Sequence, residues 1–127
     1  MIFLDTSALV ASLSQARSRW GHLSALLERG ERLGLSALAL YEWRRGPRSG
    51  EEIELQRALF PDASATPLTA DDALLAAELF RRLPGARSRS NDIAIAAVAI
   101  RHGAGLWTLN PGDFRDIPGL RLVEPVP

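Results

Sequence analysis

The chain has 127 residues, no net formal charge, 46% hydrophobic residues and 24% charged residues. This composition is typical of one globular domain, and it excludes disordered and fibrous chains. Because the chain contains neither cysteine nor lysine, disulfides, zinc–thiolate sites, Schiff-base chemistry and lysine-dependent phosphate motifs are also excluded.

Predicted strands and helices alternate along the chain. Residues 1–4 form an unbroken apolar run typical of a buried strand, and a helix that Thr6 or Ser7 could cap begins directly after it. The other predicted strands cover residues 33–36, 63–68, 105–109 and 120–123. The other predicted helices cover residues 17–29, 37–45, 51–60, 69–83 and 90–103, and residues 111–114 form a turn or a short helix. This alternation indicates an α/β fold with a mainly parallel sheet.

The helix at residues 90–103 is apolar nearly all round, which predicts that it is buried in the middle of the fold. No apolar segment approaches the length of a membrane span. The N-terminal apolar run has no basic residues before it and is interrupted by Asp5, so it is not a signal peptide. We therefore expect a single domain, residues 1–127, in the cytoplasm.

Four acidic residues can converge in such a fold. Asp5 ends the first predicted strand, Asp113 follows the strand at 105–109, and Asp92 lies at the start of the buried helix. Glu42 lies within the helix at 37–45. Ligands of open α/β sheets bind outside the carboxyl ends of the strands, where Asp5 and Asp113 are expected.

Taken singly, each acid also has a plain structural interpretation. Asp5 and Asp92 could cap helices, Asp113 could belong to a turn, and Glu42 could be a solvated helix residue paired with a neighbouring arginine. Together these interpretations are strained, because carboxylates 4 Å apart repel by about 1 kcal/mol in water and by several-fold more when partly buried. Such a cluster raises its own pKa values or recruits a cation.

Oxygen ligands favour a hard divalent cation, Mg²⁺ or Mn²⁺, at this cluster. Zinc fits poorly, because the chain has no cysteine and neither of its two histidines lies near the acidic motifs. Both histidines, His22 and His102, are expected in surface or helix-end roles. Trp20 and Trp107 are expected to pack in the core or in an interface.

Four stretches carry a family resemblance: MIFLDTSAL, ALYEWRRG, NDIAIAAVA and TLNPGDF. In this order and spacing they resemble a PIN domain, and more narrowly the VapC-type toxins of prokaryotic toxin–antitoxin pairs. Two features depart from the family pattern: the arginine- and serine-rich GARSRSN before Asp92, and the stiff Pro111-Gly112 before Asp113. The resemblance implies a three-layer α/β/α domain with a central, mainly parallel sheet of four to five strands.

The resemblance also implies a metal-dependent endoribonuclease whose products carry a 5′-phosphate and a 3′-hydroxyl. Asp5, Glu42, Asp92 and Asp113 would be both the catalytic residues and the metal ligands. An ion held by Asp5 and Asp92 would activate water, and Glu42 and Asp113 would hold a second ion or orient the attacking water.

Further residues are expected to support this site. Thr6 and Asn110 are candidates for hydrogen bonds that orient the carboxylates. The candidates for RNA contact are arginines close in sequence to Glu42 and Asp92: Arg44, Arg45, Arg87 and Arg89. Solvated surface charge is the alternative interpretation of these arginines.

The partners that the resemblance implies are an RNA substrate, a VapB-type antitoxin that covers the acidic groove, and a second copy of the chain in a homodimer. Two other phosphate-handling classes fit less well. A phosphoacceptor receiver domain requires a lysine, and a haloacid-dehalogenase-like enzyme requires an aspartate where this chain has Ser7. A PIN-fold interaction or RNA-binding module with little or no catalytic activity is the remaining alternative.

Overall fold

The computed structural model describes residues 1–123. Its strands are β1 (Ile2–Leu4), β2 (Leu33–Gly34), β3 (Gly105–Trp107) and β4 (Arg121–Leu122). Its α-helices are α1 (Thr6–Leu13), α2 (Trp20–Glu28), α3 (Ala37–Arg45), α4 (Gly50–Leu59), α5 (Ala70–Arg82) and α6 (Ser90–Arg101). Three 3₁₀ turns cover Asp62–Ser64, Ala86–Arg89 and Pro111–Asp113.

The four strands form one parallel sheet in the order β2-β1-β3-β4. In the central pair, Ile2 lies opposite Gly105 and Leu4 lies opposite Trp107. The carboxyl ends of β1 and β3 therefore meet at the same edge of the sheet, which brings the residues after Leu4 next to those after Trp107. The predicted α/β fold with a parallel sheet is confirmed.

Hydrophobic cores lie on both faces of this sheet, as alternation along a strand requires. Phe3 and Leu106 pack into a core with α5 and α6. Ile2, Leu4 and Trp107 pack into a second core with α1, α2, α3 and α4. These two cores give the three predicted layers, with the sheet between two sets of helices.

Helix α6 is buried along most of its length, as its sequence predicts. Ile93, Ile95 and Val98 are at most 1% exposed, as are Ala96 and Ala97. Ser90 is the first residue of this helix, directly after the 3₁₀ turn at Ala86–Arg89. Because Ile93 is buried in the core, the N-terminal turn of α6 that bears Asp92 packs against it.

The predicted strand at residues 63–68 is wrong. The 3₁₀ turn Asp62–Ser64 occupies its first half, and a single bridge pairs Thr66 with Ser36. The physical reason lies in Pro61, before this segment, and Pro67, within it. Proline has no backbone N–H to donate to a strand ladder, so pairing stops at one residue.

Several predicted element ends also shift. Helix α2 begins at Trp20 rather than at residue 17, and β3 ends at Trp107, so Thr108 leaves the sheet. Strand β4 covers only Arg121–Leu122, and part of the sequence after it lies outside the described residues. Within residues 1–123, none of the helices has both the length and the apolar character needed to cross a membrane.

Candidate active site

Asp5 follows β1 directly and is only 4% exposed. Its backbone N–H donates to the Trp107 carbonyl at 2.9 Å, which holds it beside the end of β3. It occupies the N-cap position of α1, but its side chain makes no capping hydrogen bond. Instead, Asp5 Oδ2 accepts from the Ser7 hydroxyl at 2.8 Å and from the Thr108 hydroxyl at 2.9 Å. Asp5 is therefore the N-cap residue by position, but its carboxylate does not cap the helix, and the predicted capping by Thr6 or Ser7 is wrong.

Ser7 and Thr108 are the site residues that sequence reasoning missed. Their hydroxyl oxygens lie 3.2 Å apart, and each also accepts a backbone N–H: that of Leu109 for Ser7, and that of Asn110 for Thr108. The network fixes the Asp5 carboxylate through Oδ2. The pairing of β1 with β3 was the signal available, since the residue after Leu4 must neighbour the residue after Trp107.

Glu42 lies on α3 and points to the same region. Its Oε1 accepts from the Thr6 hydroxyl at 2.7 Å, and its Oε2 lies 3.5 Å from Arg45 Nη2. The Glu42 side chain is 15% exposed, so it is not a solvated surface carboxylate. Helices α1 and α3 are therefore joined through the side chains of Thr6 and Glu42, next to Asp5.

The other three acids lie close enough to Asp92 for their negative charges to raise its pKa. Burial is the largest cause that raises it, followed by the negative charges of Asp5, Asp113 and Glu42; the Arg89 guanidinium opposes them. The net effect raises the pKa of Asp92 to about 6. Asp92 is the third residue of α6, after Ser90 at its start, so it is not the helix cap either.

Asp113 ends the 3₁₀ turn Pro111–Asp113 and is exposed. Its charge acts on Asp92, so the stiff Pro111-Gly112 approach does not carry it away from the other acids. Beside these acids lies a cleft of about 310 Å³, lined by Glu42, Arg45, Arg87, Ser88, Arg89, Ser90, Asn91 and Asp92. The structure thus brings all four predicted acids to one region of the molecule.

The oxygen ligands fit a hard cation better than zinc. Within residues 1–123, no group of three or more acidic, histidine or cysteine side chains is arranged to hold a metal ion. Mg²⁺ nevertheless binds proteins through one or two carboxylates while it keeps several waters. Burial raises the pKa of Asp92 most, and the negative charges of Asp5, Asp113 and Glu42 raise it further; a bound cation would offset that repulsion. The residues present therefore fit a partly hydrated Mg²⁺ or Mn²⁺.

The four predicted RNA-contact arginines divide into two pairs. Arg45 is 53% exposed and Arg87 is exposed, and both line the cleft. Arg44 instead donates to Gln56 and to both Asp62 oxygens. Arg89 also lines the cleft, but it is only 11% exposed, and its Nη1 and Nη2 groups donate four hydrogen bonds to protein acceptors. Intramolecular acceptors thus engage most of the donors of Arg44 and Arg89, which leaves Arg45 and Arg87 as the freer candidates. RNA contact stays a prediction for all four arginines.

Asn110 does not fill the orienting role expected of it. The residue is exposed, and its backbone N–H donates to the Thr108 hydroxyl at 3.0 Å. Among the hydrogen bonds of residues 1–123, none involves the Asn110 side-chain amide. Thr108 takes the position beside the Asp5 carboxylate instead.

Comparison with known proteins finds one matching family and several solved structures of similar fold. A model of the PIN domain family matches residues 2–120, whereas none of the curated proteins matches this sequence. VapBC2 from Rickettsia felis, solved with a DNA fragment from its promoter, has 23% identity over 97% of this chain and 98% of the other, with a TM-score of 0.76.

Two further solved structures are similar to the chain. A toxin–antitoxin complex from Klebsiella pneumoniae has 25% identity over 99% of this chain and 98% of the other, with a TM-score of 0.73. FitAcB from Neisseria gonorrhoeae has 24% identity over 98% of both chains, with a TM-score of 0.71. Together these likenesses support the three-layer fold over nearly the whole length.

Proposed function

Because this chain belongs to the PIN domain family, we propose that it is an Mg²⁺- or Mn²⁺-dependent endoribonuclease, the VapC-type toxin of a toxin–antitoxin pair. The observation that carries the proposal is the convergence of four acids at the carboxyl edge of the sheet, where the pKa of Asp92 is raised to about 6. A module that only bound a partner would gain nothing from such mutual repulsion.

Each side chain has a separate role in the proposed hydrolysis. Asp5 and Asp92 would hold the cation; Asp5 Oδ2 is already engaged by two hydroxyls, which orients the carboxylate and leaves Oδ1 as a ligand. Glu42, fixed by Thr6 at 2.7 Å, would accept a proton from the attacking water. Asp113 would complete the acidic pocket. When bound, the cation supplies Lewis-acid stabilisation of the phosphodiester and a lower pKa of water.

Removal of the cation is expected to abolish the activity. An acidic pocket without a counter-ion repels a phosphate backbone, so we expect EDTA to stop cleavage of a single-stranded RNA and excess Mn²⁺ to restore it. Product ends should be a 5′-phosphate and a 3′-hydroxyl. Circular dichroism in EDTA should show an intact fold; cleavage that survives chelation would contradict the mechanism.

Arg45 and Arg87 are the residues we propose for RNA contact. They line the cleft beside Glu42 and Asp92, where they can neutralise backbone phosphates on either side of the acids. Each contact to a single strand contributes about 0.7 to the slope of log affinity against log salt. In an Asp5→Asn background that prevents cleavage, Arg45→Gln with Arg87→Gln should therefore reduce this slope by about 1.4.

A matched control exists on another part of the surface. Arg82 on α5 forms an exposed ion pair with Glu78 at 2.8 Å and does not line the cleft. The variant Arg82→Gln should leave the salt slope of RNA binding unchanged. Equal slopes for the cleft variant and the unsubstituted protein would remove Arg45 and Arg87 from the RNA site.

The partners we propose are a VapB-like antitoxin and a second copy of the chain. The solved structures similar to it are named as VapBC, FitAB and toxin–antitoxin complexes. Exposed apolar side chains are available for such contacts, including Leu74 and Phe80 on α5 and Leu27 on α2. A toxin that acts on RNA in its own cell works in the cytoplasm and requires such restraint.

Co-expression provides the test of these partners. Expressed alone, the chain should arrest growth; expressed with the short reading frame beside its gene, it should not, and the two products should co-purify. Light scattering of the purified chain should give about 28 kDa, twice its 13.8 kDa. Unimpaired growth with the chain alone would favour the interaction module, and a mass near 13.8 kDa would exclude the homodimer.

A further inference from the structure

The Arg89 guanidinium connects three segments around the candidate site. Its Nη1 donates to the Asp113 carbonyl at 3.0 Å and to Asp116 Oδ1 at 2.6 Å. Its Nη2 donates to Asp116 Oδ2 and to the Pro84 carbonyl, both at 2.8 Å. One side chain thereby joins the end of α5, the approach to Asp92 and the turn that bears Asp113.

The other contacts of the Asp113 turn are local hydrogen bonds and the apolar packing of the residues that follow it. Within the turn, the Asp113 and Phe114 N–H groups bond locally to the carbonyls of Asn110 and Pro111, each at 3.0 Å. Buried Phe114 and Ile117 attach the following residues to the α6 core. In residues 1–123, every hydrogen bond between segment 110–117 and segment 84–92 involves Arg89.

We propose that Arg89 and Asp116 form a positioning pair that sets the place of the Asp113 turn against Asp92 and so shapes the cation site. This inference rests on the proposed function. Asp92 and Asp113 carry like charges, and the hydrogen bonds of Arg89 to the Asp113 carbonyl and to Asp116 hold the exposed end of the turn against their repulsion. The planar guanidinium accommodates a carboxylate and two carbonyls at once, which a lysine ammonium in its place would not.

Arg89 also differs from a simple counter-ion of the acidic cluster. Its short contacts are to Asp116 and to two carbonyls, and it makes no hydrogen bond to the Asp5, Glu42, Asp92 or Asp113 carboxylates. Arg89 thus holds the backbone at Asp113 and Pro84 without occupying the carboxylate oxygens that would bind a cation. Arg89 was predicted to contact RNA because it lies just before Asp92 in sequence, whereas its actual partner, Asp116, lies 27 residues away.

Mn²⁺ binding to the RNA-free protein separates positioning from charge. Were Arg89 only a cation beside the cluster, Arg89→Gln would reduce local positive charge and strengthen Mn²⁺ binding. The positioning pair predicts the opposite: Arg89→Gln and Arg89→Lys should each weaken Mn²⁺ binding about 10- to 100-fold, the range for residues that orient ligands. Free Mn²⁺ can be followed by electron paramagnetic resonance during titration.

Further variants keep the test decisive. Asp116→Asn, at a carboxylate that is 45% exposed, should weaken Mn²⁺ binding while the fold is retained, even if Arg89→Gln does not fold. The double variant should bind no more weakly than Arg89→Gln alone, because the two residues act as one unit. Arg82→Gln, which breaks a solvated ion pair instead, should leave Mn²⁺ binding unchanged.

The outcomes distinguish this inference from the proposed function. Unchanged or tighter Mn²⁺ binding in folded Arg89 and Asp116 variants, with cleavage by the unsubstituted protein intact, would overturn the positioning pair alone. Failure of the unsubstituted protein to bind Mn²⁺ or to cleave RNA would overturn the proposed function, and the inference with it. A lower melting temperature with unchanged Mn²⁺ binding would show a purely structural ion pair, which also overturns the inference.

Discussion

Replacement of Asp5 by asparagine is expected to reduce RNA cleavage by about 100-fold or more while the protein remains folded. Replacement of a residue that only orients a metal ligand lowers metal affinity or activity about 10- to 100-fold. Loss of the charge of a ligand itself should therefore lower the cleavage rate by at least the upper end of this range. The asparagine side-chain oxygen can still accept from Ser7 and Thr108, which donate to Asp5 Oδ2 at 2.8 and 2.9 Å. Cleavage rates with saturating Mn²⁺ give the measurement.

The stability of this variant separates catalytic loss from unfolding. The pKa of Asp92, raised from its ordinary value near 3.8 to about 6, means that its ionisation opposes folding. This penalty is absent below about pH 3.8, develops as the pH rises, and is complete above about pH 6. Because the Asp5 charge contributes to it, Asp5→Asn in EDTA at pH 7 should be at least as resistant to urea as the unsubstituted protein.

A control acid lies on α5. Asp71 is an exposed carboxylate whose oxygen is 3.4 Å from Arg101, so Asp71→Asn should leave cleavage unchanged. Full cleavage by folded Asp5→Asn would contradict the metal role of Asp5 and favour an interaction module. Unfolding of Asp5→Asn would contradict the view that this carboxylate is a destabilising member of a repulsive cluster.

The parts of the fold that the sequence predicts correctly are those where local pattern and burial agree. Residues 1–4 are apolar without alternation because β1 is buried on both faces, where Phe3 packs into one core and Leu4 into the other. Helix α6 is apolar all round because it lies in the interior. The strand predicted at 63–68 was wrong because the composition permits a strand, whereas Pro61 before the segment and Pro67 within it restrict pairing to one bridge.

Among the site residues, too, some could be predicted from local sequence and others depend on distant partners. The acids were found because the four of them, each ordinary alone, fall together in motifs whose order and spacing resemble one family. Thr108 was missed because a hydroxyl at a strand end is unremarkable until strand register places it beside Asp5. The arginines were the least predictable, because the acceptors of Arg44 and Arg89 lie 18 and 27 residues away in sequence.

Truncation of Trp43 should have the largest effect on stability. Trp43 lies on α3 next to Glu42, is 0% exposed, and packs in the core with Leu4, Leu9 and Trp107. Trp43→Ala is expected to lower the free energy of unfolding by about 3–5 kcal/mol, the usual cost of removing a buried tryptophan. For a chain of this size such a loss is a large fraction of the total stability. Urea denaturation, with the slope checked for constancy, gives the value.

Trp43→Phe is the matched control, because it removes the indole N–H but keeps a buried aromatic ring. Within residues 1–123, Trp43 Nε1 is buried without a hydrogen-bond partner, so its removal sacrifices no such bond. The Arg48 guanidinium lies 4.2 Å from the ring, a contact that phenylalanine keeps in weaker form. We expect a cost of about 1–2 kcal/mol from the reduced ring volume. Equal losses for the two variants would mean that the indole N–H, and not the packing volume, holds α3 and its Glu42 in place.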